Sequence, residues 1–443
     1  MSFTLPQAFG LTQTNSPQMV AFTGAGGKTS LMFALAGTLP GKIVITTTTR
    51  MARDQIQFAA ESIPAAVSRW PGISCIACTR ISAIVGPDVE PDKVGGVSLD
   101  VPAQLLAQPD VAFVLVEADG ARMLPLKAPA AHEPALPPQT DLVVPVAGID
   151  ALGKPIEAVA HRPQLAAALL GKNVEDEVEA GDLAALLTHP QGGLKNVPPA
   201  ARVIPAVNKV ENATQLTEAR RVARAMLRES RVQQVLIAAA ERPHPVVEVQ
   251  RRITAVILAA GGSSRMGHPK LLLPWGKTTV LGSTIGNVQD SAVFDSLVVT
   301  GAQVEGVAGI AHGAGLPTLF NERYATGEML SSLQTAVRQL LPQIEAVLVM
   351  LGDQPLVEPQ IIDLILTAFW QGKGEIIAPQ YGSRRGNPVL IGRRYFDELL
   401  ALPPGAAPRD LLKKHAVHLV PVDSESVLLD VDDPGDYERL RPR

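Results

Sequence analysis

Cysteine is nearly missing from this chain of 443 residues: only Cys75 and Cys78 occur. A single C-x-x-C spacing with no second pair falls short of the ligand set of a structural zinc site, which leaves a redox pair or two incidental buried thiols. No apolar run reaches the length of a membrane span. The first twenty residues lack both the basic flank and the long apolar core of a signal peptide. The expected compartment is therefore the cytoplasm, with no membrane partner. Internal repeats and low-complexity tracts are absent as well. The 39 Lys and Arg against 43 Asp and Glu give a net charge of -4. The signs are interspersed, and without a long basic stripe nucleic acid is not expected as the main partner. The partner should be a small molecule.

What is present concentrates in residues 257–274. There an apolar run enters Ala259, Ala260, Gly261, Gly262 and Ser263, and continues to Arg265 and Lys270. Residues with little or no side chain let backbone N–H groups approach phosphate oxygens, while Arg265 and Lys270 supply positive charge. A nucleoside triphosphate is the natural guest. The structural alternative is a tight turn between a buried strand and a helix. The spacing fits neither a P-loop, which closes on Gly-Lys-Ser/Thr, nor a dinucleotide fingerprint.

These residues resemble the MobA-like nucleotidyltransferases, and within them the molybdenum cofactor cytidylyltransferases with their L-A-A-G-x-S-x-R-M-G-x-x-K-L-L-L-P pattern. Further blocks follow in the family's order. Residues 347–355 read as a buried strand delivering Asp353, and residues 429–437 contain Asp430, Asp432, Asp433 and Asp436. Between them lie Asn321, the turn at 327–333 and the run Arg385, Gly386, Asn387, Pro388. The resemblance covers residues 252–443. Two stretches depart from it: the 327–333 turn is one residue longer than usual, and residues 404–409 lack the acidic residue of the family's G-D-x-G-A-R.

The resemblance implies a reaction: CMP passes from CTP to the terminal phosphate of molybdenum-bound molybdopterin, with loss of pyrophosphate. Both partners start out negative, so catalysis is chiefly positioning and neutralisation. Mg²⁺ is the expected metal, with Asp353 and Asp432 as its candidate ligands, since it favours one or two carboxylates with phosphate oxygens and water. Helix capping by Asp353 and simple solvation of the aspartate cluster are the alternatives. If residues 427–431 form a strand, Asp430 and Asp432 share a face; the family pattern favours Asp432. Arg265, Lys270 and Asp353 are the candidate catalytic residues. Ala259, Ala260, Gly261, Gly262, Ser263 and Asn321 are the candidate nucleotide contacts. The Ala259-Ala260 pair resembles the cytidylyl branch, since the guanylyl branch usually has L-A-G-G.

The first half carries a second glycine loop: Gly24, Gly26, Gly27, Lys28 and Thr29 follow an apolar run and precede another. This resembles a P-loop, although Phe22 stands where the leading glycine belongs. A glycine turn with a surface lysine is the alternative. Residues 111–120 read as a strand ending in Glu117 and Asp119, where a magnesium-linked acid would sit. Residues 203–211 end in Asn208, Lys209, Val210 and Glu211, similar to the N-K-x-D element that reads guanine, with Glu in place of Asp. GTP is the hypothesised nucleotide, and ATP the competitor. Together with Lys127, His161-Arg162-Pro163 and residues 187–193, these pieces resemble the YqeC family, accessory proteins of selenium-dependent molybdenum hydroxylases. That resemblance spans residues 15–240. The two histidines His161 and His189 read as structural, because no second ligand follows at i+4.

Both halves alternate Val/Ile/Leu runs with amphipathic stretches, the pattern of mostly parallel sheets covered by helices. The expected fold is α/β in two domains: a P-loop-like sheet over residues 1–245, and a Rossmann-like sheet of the nucleotide-diphospho-sugar-transferase type over 252–443. Residues 241–252, with two prolines and several charges, read as a linker. Three functions are in play. They are the cytidylyl transfer with an N-terminal accessory nucleotide site, transfer to or from another nucleotide or acceptor such as a sugar phosphate, and a chaperone that holds the cofactor for a molybdenum hydroxylase.

Overall fold

The structure, a computed structural model, describes residues 3–12, 16–52, 74–75, 81–86, 88–262, 266–326 and 328–442. It forms two compact units, Ser2–Gln250 and Arg251–Arg443. Both are α/β units with mainly parallel pairing.

In the first unit, the strands introduced in chain order are β1 (Gln18–Gly24), β2 (Lys42–Thr47), β3 (Ile81–Val85), β4 (Val111–Glu117), β5 (Leu142–Gly148), β6 (Ala206–Asn208), β7 (Gln234–Ala238) and β8 (Val246–Arg251). Their spatial order is β8-β7-β6-β5-β1-β4-β2-β3, and every pairing from β7 to β3 is parallel. A parallel sheet is covered on both faces, which is why its strands read as continuous apolar runs. In β1, Met19 to Thr23 are all buried, and β5 is buried throughout. Helix α1 (Lys28–Thr38) packs Leu31, Met32 and Leu35 on that sheet, fully withdrawn from water. Burial of each such side chain is worth about 1.5–3 kcal/mol. The carboxyl ends of β1, β4 and β6 thereby face the same edge, bringing the glycine loop, Glu117 and Asn208 together.

The boundary between the units falls within the expected linker, but there only residues 241–244 are turn and bend; residues 246–251 form β8, paired in the first unit's sheet. The polar residues that broke the apolar pattern are paired inside. Glu248 is fully buried and accepts from Arg220 Nε at 2.9 Å and from Gln250 Nε2 at 2.7 Å. Arg220 comes from helix α2 (Ala213–Met226).

The second unit contains β9 (Ile253–Ala259), β10 (Asp295–Thr300), β11 (Thr318–Phe320), β12 (Ala346–Leu351), β13 (Ile376–Tyr381), β14 (Val389–Gly392) and β15 (His418–Pro421). The order β11-β10-β9-β12 is parallel; β14 then joins β12 antiparallel, and β13 pairs with β14 antiparallel and β15 parallel. Register sets the site: Leu258 lies beside Leu351, so the loop after β9 and the turn after β12 leave neighbouring strand ends. Such ends are where open α/β sheets bind ligands. Residues 427–431 do not form the anticipated strand. Glu425–Leu428 is a 3-10 turn, and the chain beyond it is irregular until helix α3 (Pro434–Leu440). Among the described residues, no helix is long and apolar enough to cross a membrane.

Candidate functional site

In the second unit, the backbone delivers three charged side chains to one point. Gly352 N–H donates to the Leu258 carbonyl at 3.0 Å, fixing the turn that presents Asp353 beside the loop after β9. Val431 N–H donates to the Asp353 carbonyl, also at 3.0 Å, which draws the irregular segment bearing Asp432 against that turn. Lys270 opens a one-turn 3-10 helix anchored by buried Leu271. Its ammonium lies 2.5 Å from Asp353 Oδ2 and 2.8 Å from Asp432 Oδ1.

Around this triad is a cavity of about 390 Å³, lined by Leu258, Ala259, Ala260, Gly261, Lys270, Leu271, Tyr324, Met329, Ser332, Leu351, Asp353, Asp430 and Asp432. Partial burial opposes the charge on Lys270, but Asp353 and Asp432 outweigh it and hold its pKa above the ordinary lysine value. Asp430 is shifted in the same direction, which for a carboxyl favours the neutral form. Burial, reinforced by repulsion from Asp353 and Asp432, raises its pKa above the usual carboxylate value. The arrangement concentrates acceptor oxygens around the Lys270 ammonium, beside a loop with little side-chain bulk.

Of the residues predicted from sequence, Ala259, Ala260, Gly261, Lys270, Asp353 and Asp432 meet at this cavity. Gly262 follows, exposed. Asn321 is buried one contact away: its amide donates to Ser331 Oγ at 2.8 Å and Ser332 Oγ at 3.0 Å, and Ser332 lines the cavity. Ser263 and Arg265 lie outside the described residues, as do Cys78 and the side chain of Cys75. Tyr324, Met329 and Ser332 were not singled out from the sequence. Tyr324 sits near Asn321, and Met329 and Ser332 lie in the 327–333 stretch that the family pattern marked, which is not a turn but the start of a helix over Glu328–Gln339; that proximity was the available signal.

The first unit has its own constellation. Gly24, Gly26 and Gly27 have φ of 87°, 66° and 98°. A Cβ on Gly26 would fall 2.0 Å from Gly148 N, so no larger residue fits there. Lys28 is buried, donates to the Gly24 carbonyl at 2.9 Å and lies 3.4 Å from Asp119 Oδ1. Thr29 Oγ1 donates to Glu117 Oε2 at 2.7 Å. Desolvation raises the pKa of Glu117 despite the nearby Lys28 ammonium and the Thr29 hydroxyl.

Asn208 Nδ2 donates to the Gly26 carbonyl at 2.9 Å, and its Oδ1 accepts from Ala240 N–H at 3.0 Å. Its amide therefore braces the glycine loop. Lys209 has φ of 65° and pairs with Asp150 at 2.9 Å, while Glu211 is exposed.

Behind the loop runs a buried ion chain whose pairing the sequence does not reveal. Lys127, whose side chain is wholly buried, lies 3.1 Å from both Asp119 Oδ2 and Glu133 Oε2, and Arg162 lies 2.6 Å from Glu133 Oε2. Asp119, Lys127 and Arg162 lie in the stretches that resemble the YqeC family; Glu133, which joins them, carries no motif of its own. Although burial works against its ionisation, Lys127, the Ala130 N–H and Arg162 bring the Glu133 pKa down to about 2. His161 donates from Nδ1 to the Gly120 carbonyl at 3.2 Å, and burial together with Arg162 and Lys127 lowers its pKa. Among the described residues, no group of three His, Cys, Asp or Glu is arranged to hold a metal ion.

Comparison with known proteins agrees with this division. The sequence matches the YqeC protein family over residues 20–164 and the MobA-like NTP transferase domain over residues 255–419. YqeC of Escherichia coli (strain K12) is 33% identical over 219 residues, covering 46% of this chain and 81% of that protein. The molybdenum cofactor cytidylyltransferase of the same organism is 28% identical over 192 residues, covering 43% of this chain and 96% of that one. Among solved structures, Rv0371c from Mycobacterium tuberculosis H37Rv is 32% identical with a TM-score of 0.39, covering 43% of this chain and 97% of that one. With its glycine loop, buried Lys28 and Asn208 brace in the first half, and the Lys270 triad in the second, the chain belongs to the YqeC family and carries a MobA-like NTP transferase domain on the same polypeptide.

Proposed function

We propose that the second unit transfers CMP from CTP to the terminal phosphate of molybdenum-bound molybdopterin, giving the cytosine dinucleotide cofactor and pyrophosphate. The observation that carries this reading is Lys270 held between Asp353 and Asp432 in a cavity that Ala259, Ala260 and Gly261 also line. The 28% identity to a molybdenum cofactor cytidylyltransferase supports the choice of nucleotide and acceptor.

In this reaction an oxygen of the acceptor phosphate attacks the α-phosphorus. A new P–O bond forms, the bond to the bridging oxygen breaks, and pyrophosphate leaves with the electron pair. The attacking oxygen is already ionised, so no residue has to remove a proton. The chain's work is to position and to neutralise. The backbone of residues 259–261 receives the nucleotide. Lys270, with Arg265 by its place in the sequence, balances phosphate charge as an ammonium and a planar guanidinium.

The donor set fits Mg²⁺. Two carboxylates converge on one position that a cation, the Lys270 ammonium, already occupies. Asp353 and Asp432 would hold the ion, which would supply charge neutralisation to the phosphates. The methyl group of buried Ala260 narrows the cavity wall, favouring a pyrimidine by about 1–3 kcal/mol. The first unit is an accessory nucleoside triphosphate site, with GTP or ATP as its ligand, and the product is handed to a molybdenum hydroxylase.

Pyrophosphate release by the full-length protein with Mg²⁺ and molybdenum-bound molybdopterin, compared for CTP, GTP and ATP, tests the reading. Release with CTP alone is expected. Release with GTP alone moves the unit to guanylyl transfer, and silence with all three removes this acceptor.

A further inference from the structure

The glycine loop of the first unit is short of free positive charge and of free donors. Gly24 N–H donates to Asp119 Oδ2 at 3.0 Å, Ala25 N–H to the Val146 carbonyl at 2.8 Å, and Gly26 N–H to the Leu124 carbonyl at 3.1 Å. Three successive loop amides are thus engaged by the protein itself. Lys28 faces Asp119, whose Oδ1 is buried without a hydrogen-bond partner. Lys127 is balanced between Asp119 and Glu133. The open donors are those of the first turn of α1, which has no side-chain cap. A triphosphate docked there would bring several negative charges against a lysine that is already neutralised.

The same contacts build a second feature. Asp119 and Leu124 are the two points at which residues 119–124 are tied to the loop, so the segment between them arches beside it. The arch is closed by Leu124 N–H donating to the Ala121 carbonyl at 3.1 Å. Its central residues, Arg122 and Met123, have φ of 49° and 60°. A turn with two positive φ values ordinarily takes Asn-Gly, because left-handed backbone is costly for other residues. Here it carries an exposed guanidinium and a methionine that is 96% exposed. Among the described residues no ion pair involving Arg122 is found.

Sheet order places the arch on one side of the glycine loop. The arch leaves β4, on one side of β1, at the strand end that brings Glu117 to Thr29. Asn208 approaches from β6, on the other side of β1 beyond β5. The arch therefore flanks the side of the loop that carries Thr29 and Glu117, where a magnesium-linked acid would lie beside a terminal phosphate.

We propose that Arg122 contacts the terminal phosphate of a nucleoside triphosphate held by residues 24–29, so that the first unit distinguishes triphosphate from diphosphate. This rests on reading residues 24–29 as a nucleotide site. A guanidinium suits the task because it makes bidentate, charge-assisted hydrogen bonds to phosphate.

The test uses the full-length protein with fluorescent N-methylanthraniloyl derivatives of ATP, ADP, GTP and GDP. Binding that disappears in Lys28→Ala defines the first unit's site. In that component, Arg122→Ala should weaken triphosphate binding roughly tenfold to a hundredfold and leave diphosphate binding nearly unchanged. Arg122→Lys should keep part of the preference. Arg122→Gly tolerates the positive φ and should behave like Arg122→Ala while keeping the wild-type thermal midpoint or exceeding it. An unchanged triphosphate-to-diphosphate ratio in both Arg122→Ala and Arg122→Gly overturns the role of Arg122 alone. If no Lys28-dependent binding appears with any of the four nucleotides, the nucleotide site itself is refuted and the proposal falls with it.

Discussion

The amide of Val431 donates to the carbonyl of Asp353 at 3.0 Å, so backbone rather than side chain sets Asp432 beside Asp353. That distinction decides what a substitution should do. Asp353→Ala removes a carboxylate that faces Lys270 yet leaves the 353–431 bond in place. Pyrophosphate release should fall at least about a hundredfold, the scale seen when a charge-stabilising group is deleted. The thermal midpoint should stay near wild type. A variant that keeps full turnover would remove Asp353 from the metal assignment.

In the proposed reaction Lys270 holds the place a divalent cation would take. In Lys270→Ala, Asp353 and Asp432 face each other with no ammonium between them, which is unfavourable for two carboxylates at close range. The variant should melt lower than wild type without metal. Added Mg²⁺ should then raise its midpoint by more than it raises that of wild type, because no lysine competes for the carboxylates. Equal or smaller stabilisation of the variant, read by thermal scans over a Mg²⁺ titration, would contradict a shared cation position.

How far this arrangement could be read beforehand differs by element. The glycine loops were legible because close backbone approach allows few residue types, and Gly26 against Gly148 is such a contact. Strand ends carrying Glu117 and Asp353 were legible because a doubly covered parallel strand is a continuous apolar run that stops where ligands bind. Strand β8 was not. Buried Glu248 and Gln250 mimic the polarity of a linker until Arg220, 28 residues away from Glu248, is seen to neutralise Glu248, to which Gln250 donates in turn. Asp432 was found by motif, but the strand imagined around it gives way to a 3-10 turn and irregular chain placed by the Val431 bond. Long-range pairing of this kind leaves no periodic trace.

Glu133 gives the first unit a pH signature. Its folded pKa is about 2, below the ordinary 4.5, through Lys127, the Ala130 amide and Arg162 working against burial. A carboxylate depressed in the folded state stabilises the protein fully above its unfolded pKa, and that contribution is lost as pH falls from about 4.5 towards about 2. At neutral pH it amounts to something on the order of 3 kcal/mol. Glu133→Gln should therefore be less stable than wild type at pH 7, with the gap closing as the pH is lowered through this window. Denaturant midpoints of both proteins between pH 3 and pH 7 measure it. A gap independent of pH would mean that the pairing of Glu133 with Lys127 and Arg162 contributes through packing and not through charge.

The turn at Arg122 and Met123 carries a stability consequence separate from any ligand. Both residues sit at positive φ, a conformation that costs roughly 1–2 kcal/mol per L-residue and that Asn and Gly adopt at less cost. Replacing Arg122-Met123 by Asn-Gly keeps the closing bond from Leu124 to Ala121 and removes neither a core side chain nor a known ion pair. The double variant should be more stable by about 1 kcal/mol, offset in part by the greater freedom of glycine in the unfolded chain. Equilibrium denaturation of the full-length protein, monitored on the first unit's transition, reads the change. A loss of stability would show that Arg122 or Met123 makes contacts that outweigh the backbone strain, and the arch would then be a structural clamp instead of an exposed reader of phosphate.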